Sequence, residues 1–356
     1  MREQLTALQR KVASLRHSNP TKSMALILVT GSYGKTTTAS FLKGILTEAG
    51  RKPALIPARY RQSVNGFYTG VARAKKQGYE VAIIEVDDVL LDSGALGDSN
   101  IDCLVVASDV SRLSELLKLN PQHLVVPSDL EIPTGTVEPY QHITVGEEIA
   151  ADARIESIKL YRKGTELRMV IDHQTKLEVA TQLVGRMNAK DLAAAIAAAY
   201  VLGAPLSVMQ EGVADIEPLE GRFERMKTAK KHDCYVDKGG SLEALRDAVT
   251  SAKQLAKRRC IVVLHDDKLT REMIDIAKEA ADRLFVADFS GVTPGGVEVV
   301  TDGKTAVEKA LRGAQQDDLV LLYGHSFTAK KGDSITVKEY LKENEERASN
   351  NQETDS

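Results

Sequence analysis

Apolar positions along the chain follow two periods, one typical of strands and one typical of helices. The run ALILV ends just before Thr30, and the segment TASFLKGIL then places Phe41, Leu42, Ile45 and Leu46 on one face of a helix. Two further apolar runs, VAIIE and CLVV, are each followed by carboxylates. Alternation of this kind predicts a mostly parallel β-sheet with helices packed against it.

The pattern changes twice after this first series. Between 153 and 184, three segments broken by charges are typical of antiparallel strands, and Asn188 to Gly203 is an alanine-rich helical pattern closed by Pro205. After Gly221, four apolar runs (CYVD, CIVVL, RLFVA and DLVLLY) alternate with helical segments. The predicted fold class is α/β, with a P-loop-type, mostly parallel central domain followed by a smaller Rossmann-like α/β domain.

These patterns divide the chain into four predicted parts. Residues 1–23 form an amphipathic helical arm that we expect to pack against the protein, 24–220 the central domain and 221–342 the C-terminal domain. The tail, 343–356, is polar without an apolar anchor and is predicted to be disordered. The apolar positions of the arm are Leu5, Leu8, Val12 and Leu15.

Composition and charge exclude several classes of function. Aromatic residues make up only 4% of the chain, so aromatic stacking platforms are not expected, and the net charge of −3 does not suggest a nucleic-acid partner. Cys103, Cys234 and Cys260 lie at no metal-ligand or redox-motif spacing. The longest apolar stretch is too short to cross a bilayer, and the polar N terminus has no signal-like core. We expect a cytoplasmic protein without membrane insertion.

The segment between the first strand and the first helix carries the main chemical signal. Gly31 to Thr36 joins the end of a strand to the start of a helix, where unpaired N–H groups attract anions. Glycines let the backbone wrap a phosphate, and Lys35 adds a positive charge. The general pattern G-x-x-x-x-G-K-[ST] has a glycine where this chain has Val29, so an ordinary strand–turn–helix connection is the alternative. The segment nevertheless predicts a nucleoside triphosphate.

A nucleoside triphosphate requires a divalent cation, because its clustered negative charge must be offset. The hydroxyl of Thr36 follows the lysine and can bind such a cation. Glu85 ends a neighbouring buried strand, at the edge where parallel sheets bind ligands. We therefore expect Mg²⁺ at Thr36 and Glu85, whereas Asp87 and Asp88 are expected to be exposed loop acids without a role of their own.

Five segments resemble, in order, motifs of the Mur ligase family, the ATP-dependent amide-bond ligases of peptidoglycan synthesis. TGSYGKTTT is similar to TGTNGKTTT, a loop that also lacks the early glycine, and LVGRMNAKDLAAAIAAAYVLG resembles G-R-x-N-x-x-N-x-x-A-A with Asp191 in place of the second asparagine. EGRFERM resembles the G-R-x-E hinge, CYVDKGGSLEAL keeps the aspartate of V-D-Y-A-H-x-P-x-A-L, and LLYGHS is similar to G-K-G-H.

The resemblance implies a reaction and a set of site residues. ATP would phosphorylate a small-molecule carboxylate, and an amine would then attack the acyl phosphate. Lys35 and Glu85 are the implied catalytic residues, with Thr36 and Glu85 as ligands of Mg²⁺. A hinge near Gly221 would let the smaller domain close over the nucleotide. The residues implied to bind ATP are Gly31, Ser32, Tyr33, Gly34, Lys35, Thr36, Thr37, Asn188, Arg222 and Asp237.

The chain departs from the family pattern mainly at the substrate end. The family usually carries an N-terminal domain that binds the UDP-sugar, whereas about twenty residues precede the first predicted strand here, so we expect that a protein partner could supply that function. VVASDVSRLSELL has no histidine where the family has D-H-L-D-x-H, with Asp109 or Lys118 as possible substitutes, and ADFSGVTPGG stands in place of D-N-P-R. The sequence favours a ligase over two alternatives, a non-catalytic ATP-binding scaffold of cell-envelope synthesis and an unrelated phosphate-loop NTPase or kinase.

Overall fold

The computed structural model describes residues 2–132, 141–226, 228 and 232–327. The predicted disordered tail, 343–356, lies outside the described residues. The chain divides into two compact units, of which the first comprises Met1–Ile158, Glu166–Thr181 and Asn188–Ile216. The second comprises Lys159–Thr165, Gln182–Met187 and the chain from Glu217 onward. The domain limits predicted from the sequence stay predictions.

The first sheet has nine strands in the order β2-β3-β1-β4-β5-β6-β7-β8-β9. Neighbouring strands from β2 to β7 pair in parallel, and the connections β7–β8 and β8–β9 are short enough that only antiparallel neighbours permit them. The strands are β1 (Ala25–Thr30), β2 (Pro53–Leu55), β3 (Val81–Glu85), β4 (Cys103–Val106), β5 (His123–Pro127), β6 (Gln141–Gly146), β7 (Ala153–Tyr161), β8 (Gly164–Ile171) and β9 (Thr175–Thr181).

The second sheet, in the second unit, has six strands in the order β10-β11-β15-β12-β13-β14. Only β10 is antiparallel to its neighbour. The four predicted strands are present as β11, β12, β13 and β15, whereas the short edge strands β10 and β14 were not predicted. The strands are β10 (Glu224–Met226), β11 (Asp233–Asp237), β12 (Cys260–Leu264), β13 (Arg283–Ala287), β14 (Val297–Val300) and β15 (Leu319–Tyr323).

Helices connect most of the consecutive strands, but no helix lies in the described segments between the parallel neighbours β6 and β7 or between β13 and β14. Among the described residues, no helix is both long and apolar enough to cross a membrane. The helices are α1 (Arg2–Arg16), α2 (Lys35–Glu48), α3 (Val64–Lys76), α4 (Asp88–Ser93), α5 (Leu113–Leu117), α6 (Arg186–Val201), α7 (Met209–Ala214), α8 (Leu242–Leu255), α9 (Arg271–Ala280) and α10 (Gly303–Gly313).

Each unit has its own apolar core. The predicted inner face of α2 is buried, with Phe41, Leu42 and Ile45 fully covered, and the predicted α/β fold class is confirmed. All three cysteines are buried and unpaired. Burial raises the pKa of the Cys234 and Cys260 thiols to about 12, which makes them poor nucleophiles.

Helix α1 packs in a way that the sequence did not predict. Its apolar face is exposed: the accessible fractions are 58% for Leu5, 58% for Leu8, 53% for Val12 and 73% for Leu15. The opposite face, with Ala13 at 4% exposure, lies against the first unit. The arm is therefore packed on the protein as expected, but through Ala13 and its neighbours and not through its leucine face.

Candidate nucleotide-binding site

The predicted phosphate loop connects β1 to α2 in the first unit. Gly31 and Gly34 have φ angles of +137° and +80°, backbone conformations that side-chain-bearing residues rarely adopt. A Cβ on Gly31 would lie 2.6 Å from Ser108 Oγ, and a Cβ on Gly34 would collide with the Asp191 carboxylate. Both positions therefore require glycine, because the backbone has a positive φ and because neighbouring atoms leave no room for a Cβ.

The loop that follows β4 holds the phosphate loop in place. Ser108, which is buried, accepts a hydrogen bond from the Tyr33 amide and donates one to the Tyr33 carbonyl, both at 3.1 Å. The Ser32 amide donates to the Asp109 carbonyl at 2.9 Å, and the Ser32 hydroxyl donates to the Asp109 carboxylate. Sequence reasoning missed Ser108; its only signal was its position just after a strand that neighbours β1.

The start of α2 presents the groups that anions bind. Its N-cap, Gly34, supplies no side chain to the first-turn amides, which leaves them available to an anion. The Lys35 ammonium donates to the Gly31 carbonyl and so lies across the loop. In the same turn the hydroxyls of Thr37 and Thr38 are buried without hydrogen-bond partners among the described residues. Such orphan hydroxyls are costly, and a ligand or water at the loop is one way to satisfy them.

Thr36 and Glu85 lie together, as predicted. Strand β3 is the parallel neighbour of β1, with Glu85 in register with Val29, and the Thr36 hydroxyl donates to Glu85 Oε2 at 3.0 Å. Cis ligands of an octahedral ion with bonds of ~2.1 Å are ~3.0 Å apart, so this oxygen pair fits Mg²⁺. Sequence reasoning also missed Arg61, a buried residue whose guanidinium donates to the Glu85 carbonyl and fixes the end of β3.

Of the two acids after Glu85, Asp87 has a structural role, which corrects the expectation that it lacks one, whereas the side chain of Asp88 is 79% exposed, as expected. Asp87 caps α4 by accepting a hydrogen bond from the Leu90 amide at 2.9 Å. Its carboxylate also lies 3.5 Å from Arg61, and that of Asp88 lies 3.6 Å from Arg112.

Helix α6 brings its polar residues to the phosphate loop. Asn188 and Asp191 are both 1% exposed, and Asp191 contacts Gly34 directly. Asn188 lies one turn earlier on the same face of the helix. Of the two possible substitutes for the missing histidine, Asp109 contacts Ser32 of the loop, whereas Lys118 is exposed at the end of α5.

Arg222 and Asp237 belong to the second unit. Asp237 ends β11 and is fully buried; one carboxylate oxygen accepts from the Phe223 amide at 2.9 Å and the other from the Gly239 amide at 2.8 Å. The Lys238 amide donates to the Gly221 carbonyl at 2.9 Å. The segment that carries Arg222 is thus tied to the end of β11. Burial raises the pKa of the Asp237 carboxyl, opposed chiefly by the Gly239 amide.

Comparisons with known proteins agree with this arrangement. The family model for the Mur ligase middle domain matches residues 29–108, which contain the phosphate loop and Glu85. The model for the Mur ligase, glutamate ligase domain, matches 221–326 in the second unit. UDP-N-acetylmuramoyl-L-alanyl-D-glutamate–2,6-diaminopimelate ligases from Halalkalibacterium halodurans and Geobacillus kaustophilus are 25% and 26% identical, and each match spans 88% of this chain and 76% of the relative.

Solved structures share the fold. The MurF ligase from Thermotoga maritima, determined in complex with ADP, superposes with a TM-score of 0.73 at 16% identity, covering 90% of this chain and 81% of the ligase. The folylpolyglutamate synthetase from Lactobacillus casei gives a TM-score of 0.67 at 15% identity, over 90% of this chain and 92% of the synthetase. With its middle and C-terminal domains both matched in order, the chain belongs to the Mur ligase family.

Proposed function

We propose that this chain is an ATP-dependent ligase that joins a carboxylate to an amine through an acyl phosphate. The observation that carries the proposal is the phosphate loop at the start of α2, with Glu85 placed 3.0 Å from Thr36 by the neighbouring strand. Membership of the Mur ligase family and the names of the curated relatives support the same reaction class.

In this proposal the residues of the first unit hold and orient the triphosphate. The first-turn amides of α2 and the Lys35 ammonium bind phosphate oxygens, and the two loop glycines let the backbone approach them. The substrate carboxylate attacks the γ-phosphorus, and the bond to the β,γ-bridging oxygen breaks as ADP leaves. An amine nitrogen then attacks the acyl carbon, phosphate departs and the amine loses a proton to solvent.

Thr36 and Glu85 would hold Mg²⁺, which when bound offsets charge on the β- and γ-phosphates. Arg61 keeps the end of β3 fixed through the Glu85 carbonyl, so the carboxylate stays beside Thr36. Asn188, Arg222 and Asp237 are assigned to the nucleotide by the family pattern. Each carboxylate oxygen of Asp237 accepts one backbone amide, and each retains a lone pair that can accept a hydrogen bond from the nucleotide.

The relatives suggest that the acid is a peptidoglycan precursor. The lost histidine and the changed D-N-P-R segment indicate that this chain recognises its carboxylate and amine by other residues than its relatives do. The proposal places the enzyme in the cytoplasm, where ATP is available and where three unpaired, buried cysteines would stay reduced.

The test is phosphate release in the presence of ATP, Mg²⁺ and a panel of peptidoglycan-precursor acids and amines. We expect at least one acid–amine pair to stimulate release, and Glu85→Ala to lower the stimulated rate at least a hundredfold, because the metal ligand is lost. Glu80→Ala, an exposed acid just before β3, is the matched control and should retain the wild-type rate.

Two outcomes would contradict the proposal. Wild-type release that no acid raises above the Glu85→Ala level, with ATP binding intact, would favour the non-catalytic scaffold. Phosphate release at the full rate without any acid or amine would favour an NTPase, and ADP formation that depends on a sugar alone, without phosphate release, would favour a kinase. Nothing in the comparisons favours either alternative over the ligase.

A further inference from the structure

The outward face of helix α1 has the spacing of a coiled-coil seam. Leu5, Leu8, Val12 and Leu15 are separated by three, four and three residues, which are successive a and d positions of two heptads. In this register Gln4 and Lys11 occupy g positions, and Gln9 and Arg16 occupy e positions. All eight side chains are exposed. The entire face that a coiled coil would use is therefore open to solvent.

The remaining positions attach the helix to the first unit. Arg10 pairs with Asp98 at 2.8 Å and donates to the Gly94 carbonyl at 2.9 Å. Ala13 is buried, and just beyond the helix His17 lies 3.3 Å from the Thr69 hydroxyl of α3. Because f and b positions make these contacts, the leucine face cannot turn inward without breaking them. The helix is already ordered, so a partner need not supply the cost of ordering it.

A groove of about 430 Å³ runs beside the seam. Leu8, Val12 and Ala13 form one wall, and the start of α3, at Ser63, Val64 and Asn65, forms the other. The side chains of a second helix that packs along the seam would insert into this groove.

The width of the apolar strip distinguishes a helix partner from a membrane. Four apolar positions confined to a and d form the narrow seam of a helix pair, whereas helices that lie on membranes bury a broader face.

The charges at the e and g positions beside the seam determine which kind of helix can pair with α1. Lys11 and Arg16 are cations, Gln4 and Gln9 are neutral, and none of these four e and g positions carries an acid. A parallel pair of two copies would place Lys11 against Arg16 of the other copy, and an antiparallel pair would bring the two copies of Lys11 together. Like charges at these positions disfavour pairing, whereas acids opposite them would favour it.

We infer that α1 is a docking site for an amphipathic helix of another protein, with apolar residues at a and d positions and acidic residues at e and g positions. This inference concerns a surface outside the proposed active site and does not depend on catalysis. The protein partner suggested by the sequence would, on this inference, carry such a helix.

The experiment measures binding of synthetic three-heptad peptides to the full chain by fluorescence anisotropy. Both peptides carry Leu and Val at a and d; one has Glu at e and g and the other Lys. We expect the acidic peptide to bind at least tenfold more tightly than the basic one, and less tightly as salt rises. Leu8→Glu and Leu15→Glu should each weaken binding at least tenfold. Ile149→Glu, at an apolar residue 85% exposed elsewhere in the first unit, should leave it unchanged.

A charge reversal tests the specificity separately from the apolar contact. The double variant Lys11→Glu, Arg16→Glu should invert the preference and bind the basic peptide more tightly. All substituted residues are exposed, so the thermal unfolding of the variants should match the wild type. Equal binding of both peptides, or none by either, would overturn the inference. Leu8-dependent self-association in sedimentation would assign the seam to a second copy instead. Leu8-dependent binding to phosphatidylglycerol vesicles would assign it to a membrane.

Discussion

At the scale of single residues, the phosphate loop depends on the conformation of Gly34. Its φ of +80° strains any residue with a Cβ, and that Cβ would collide with Asp191 and lie 3.2 Å from the Ala107 side chain. Gly34→Ala should therefore displace the turn that aims the first amides of α2. We expect nucleotide affinity, measured by calorimetry with ATP and Mg²⁺, to fall at least tenfold, which corresponds to ~1.4 kcal/mol.

Gly78→Ala is the control for Gly34→Ala, because it has a similar positive φ but no steric crowding around the added Cβ. Gly78 has a φ of +84° and no heavy atom within 4 Å of the position of a Cβ. Both variants should lose about 1 kcal/mol of stability from the strained backbone, but only Gly34→Ala should lose the nucleotide. Equal affinities for the two variants would mean that the crowding of Gly34 by Asp191 is unimportant for the loop.

At the scale of elements, a buried carboxylate joins the starts of two strands in the second sheet. Parallel pairing sets Cys260 of β12 opposite Leu319 of β15, which brings the preceding residues, Arg259 and Asp318, side by side. Asp318 is fully buried, and Arg259 donates to it at 2.6 Å while the Gln315 amide donates at 2.8 Å. Burial alone would raise the pKa of the Asp318 carboxyl, but these bonds outweigh it and hold the pKa below its usual value.

Asp318→Asn should lower the free energy of unfolding of the second unit by roughly 2–4 kcal/mol at pH 7, because Arg259 loses its charged partner. A lowered native pKa means that the contribution of the carboxylate is complete above the unfolded pKa of ~3.9 and is lost as the pH falls through the native pKa. Urea unfolding should therefore show a difference from wild type that is full at pH 7 and shrinks below about pH 4.

The control for this variant is Asp275→Asn. Asp275 forms an exposed pair with Arg271 on α9, at 3.0 Å with both side chains 48% exposed, and such pairs contribute ~0.5 kcal/mol or less. A loss as large as that of Asp318→Asn would show that burial is not what makes the β12–β15 cluster important. A difference that grows on acidification would contradict the direction of the pKa shift.

Local patterns explain which elements the sequence could predict. The path from β1 through the loop to α2 is encoded within residues 25–48, and the acid at the end of β3 follows from the rule that parallel strands end at one edge. Ser108, Arg61 and the Phe223 amide held by Asp237 make their contacts across sequence separations of 75, 24 and 14 residues, so no local signal marks them. Strands β10 and β14, of three and four residues, are too short for periodicity to register.

Helix α1 shows what a local sequence pattern cannot predict. Periodicity identified the apolar face of the helix, but it carries no information about what that face contacts. The helix is fixed instead by Arg10 and Ala13, a charged and a small residue that a hydrophobicity pattern assigns to the solvent side. The amphipathic pattern thus predicted the helix, but it did not predict which face packs on the protein.

At the scale of the whole molecule, each unit carries a core of its own, so we expect two unfolding transitions in calorimetry. The core of the first unit includes Leu26, Leu28 and Phe67, and the second unit has clusters that include Leu245 and Phe285. Asp318→Asn should lower only one of the two transitions and thereby identify the second unit. Once each transition is assigned to a unit, the effect of a bound nucleotide on each unit can be measured separately.

Our site assignment includes residues of both units, so a non-hydrolysable ATP analogue with Mg²⁺ should stabilise both. At a hundredfold excess over Kd the expected gain is ~2.7 kcal/mol, or a rise of roughly 5–10 °C for a unit of this size. Lys35→Ala should abolish both rises, because the phosphate loop is needed for binding at all. Arg222→Ala should leave the rise of the first unit and reduce that of the second. If the analogue raises only the first transition in the wild type, and Arg222→Ala changes nothing, then Arg222 and Asp237 do not contact the nucleotide and the site consists of the phosphate loop, Glu85 and α6 alone.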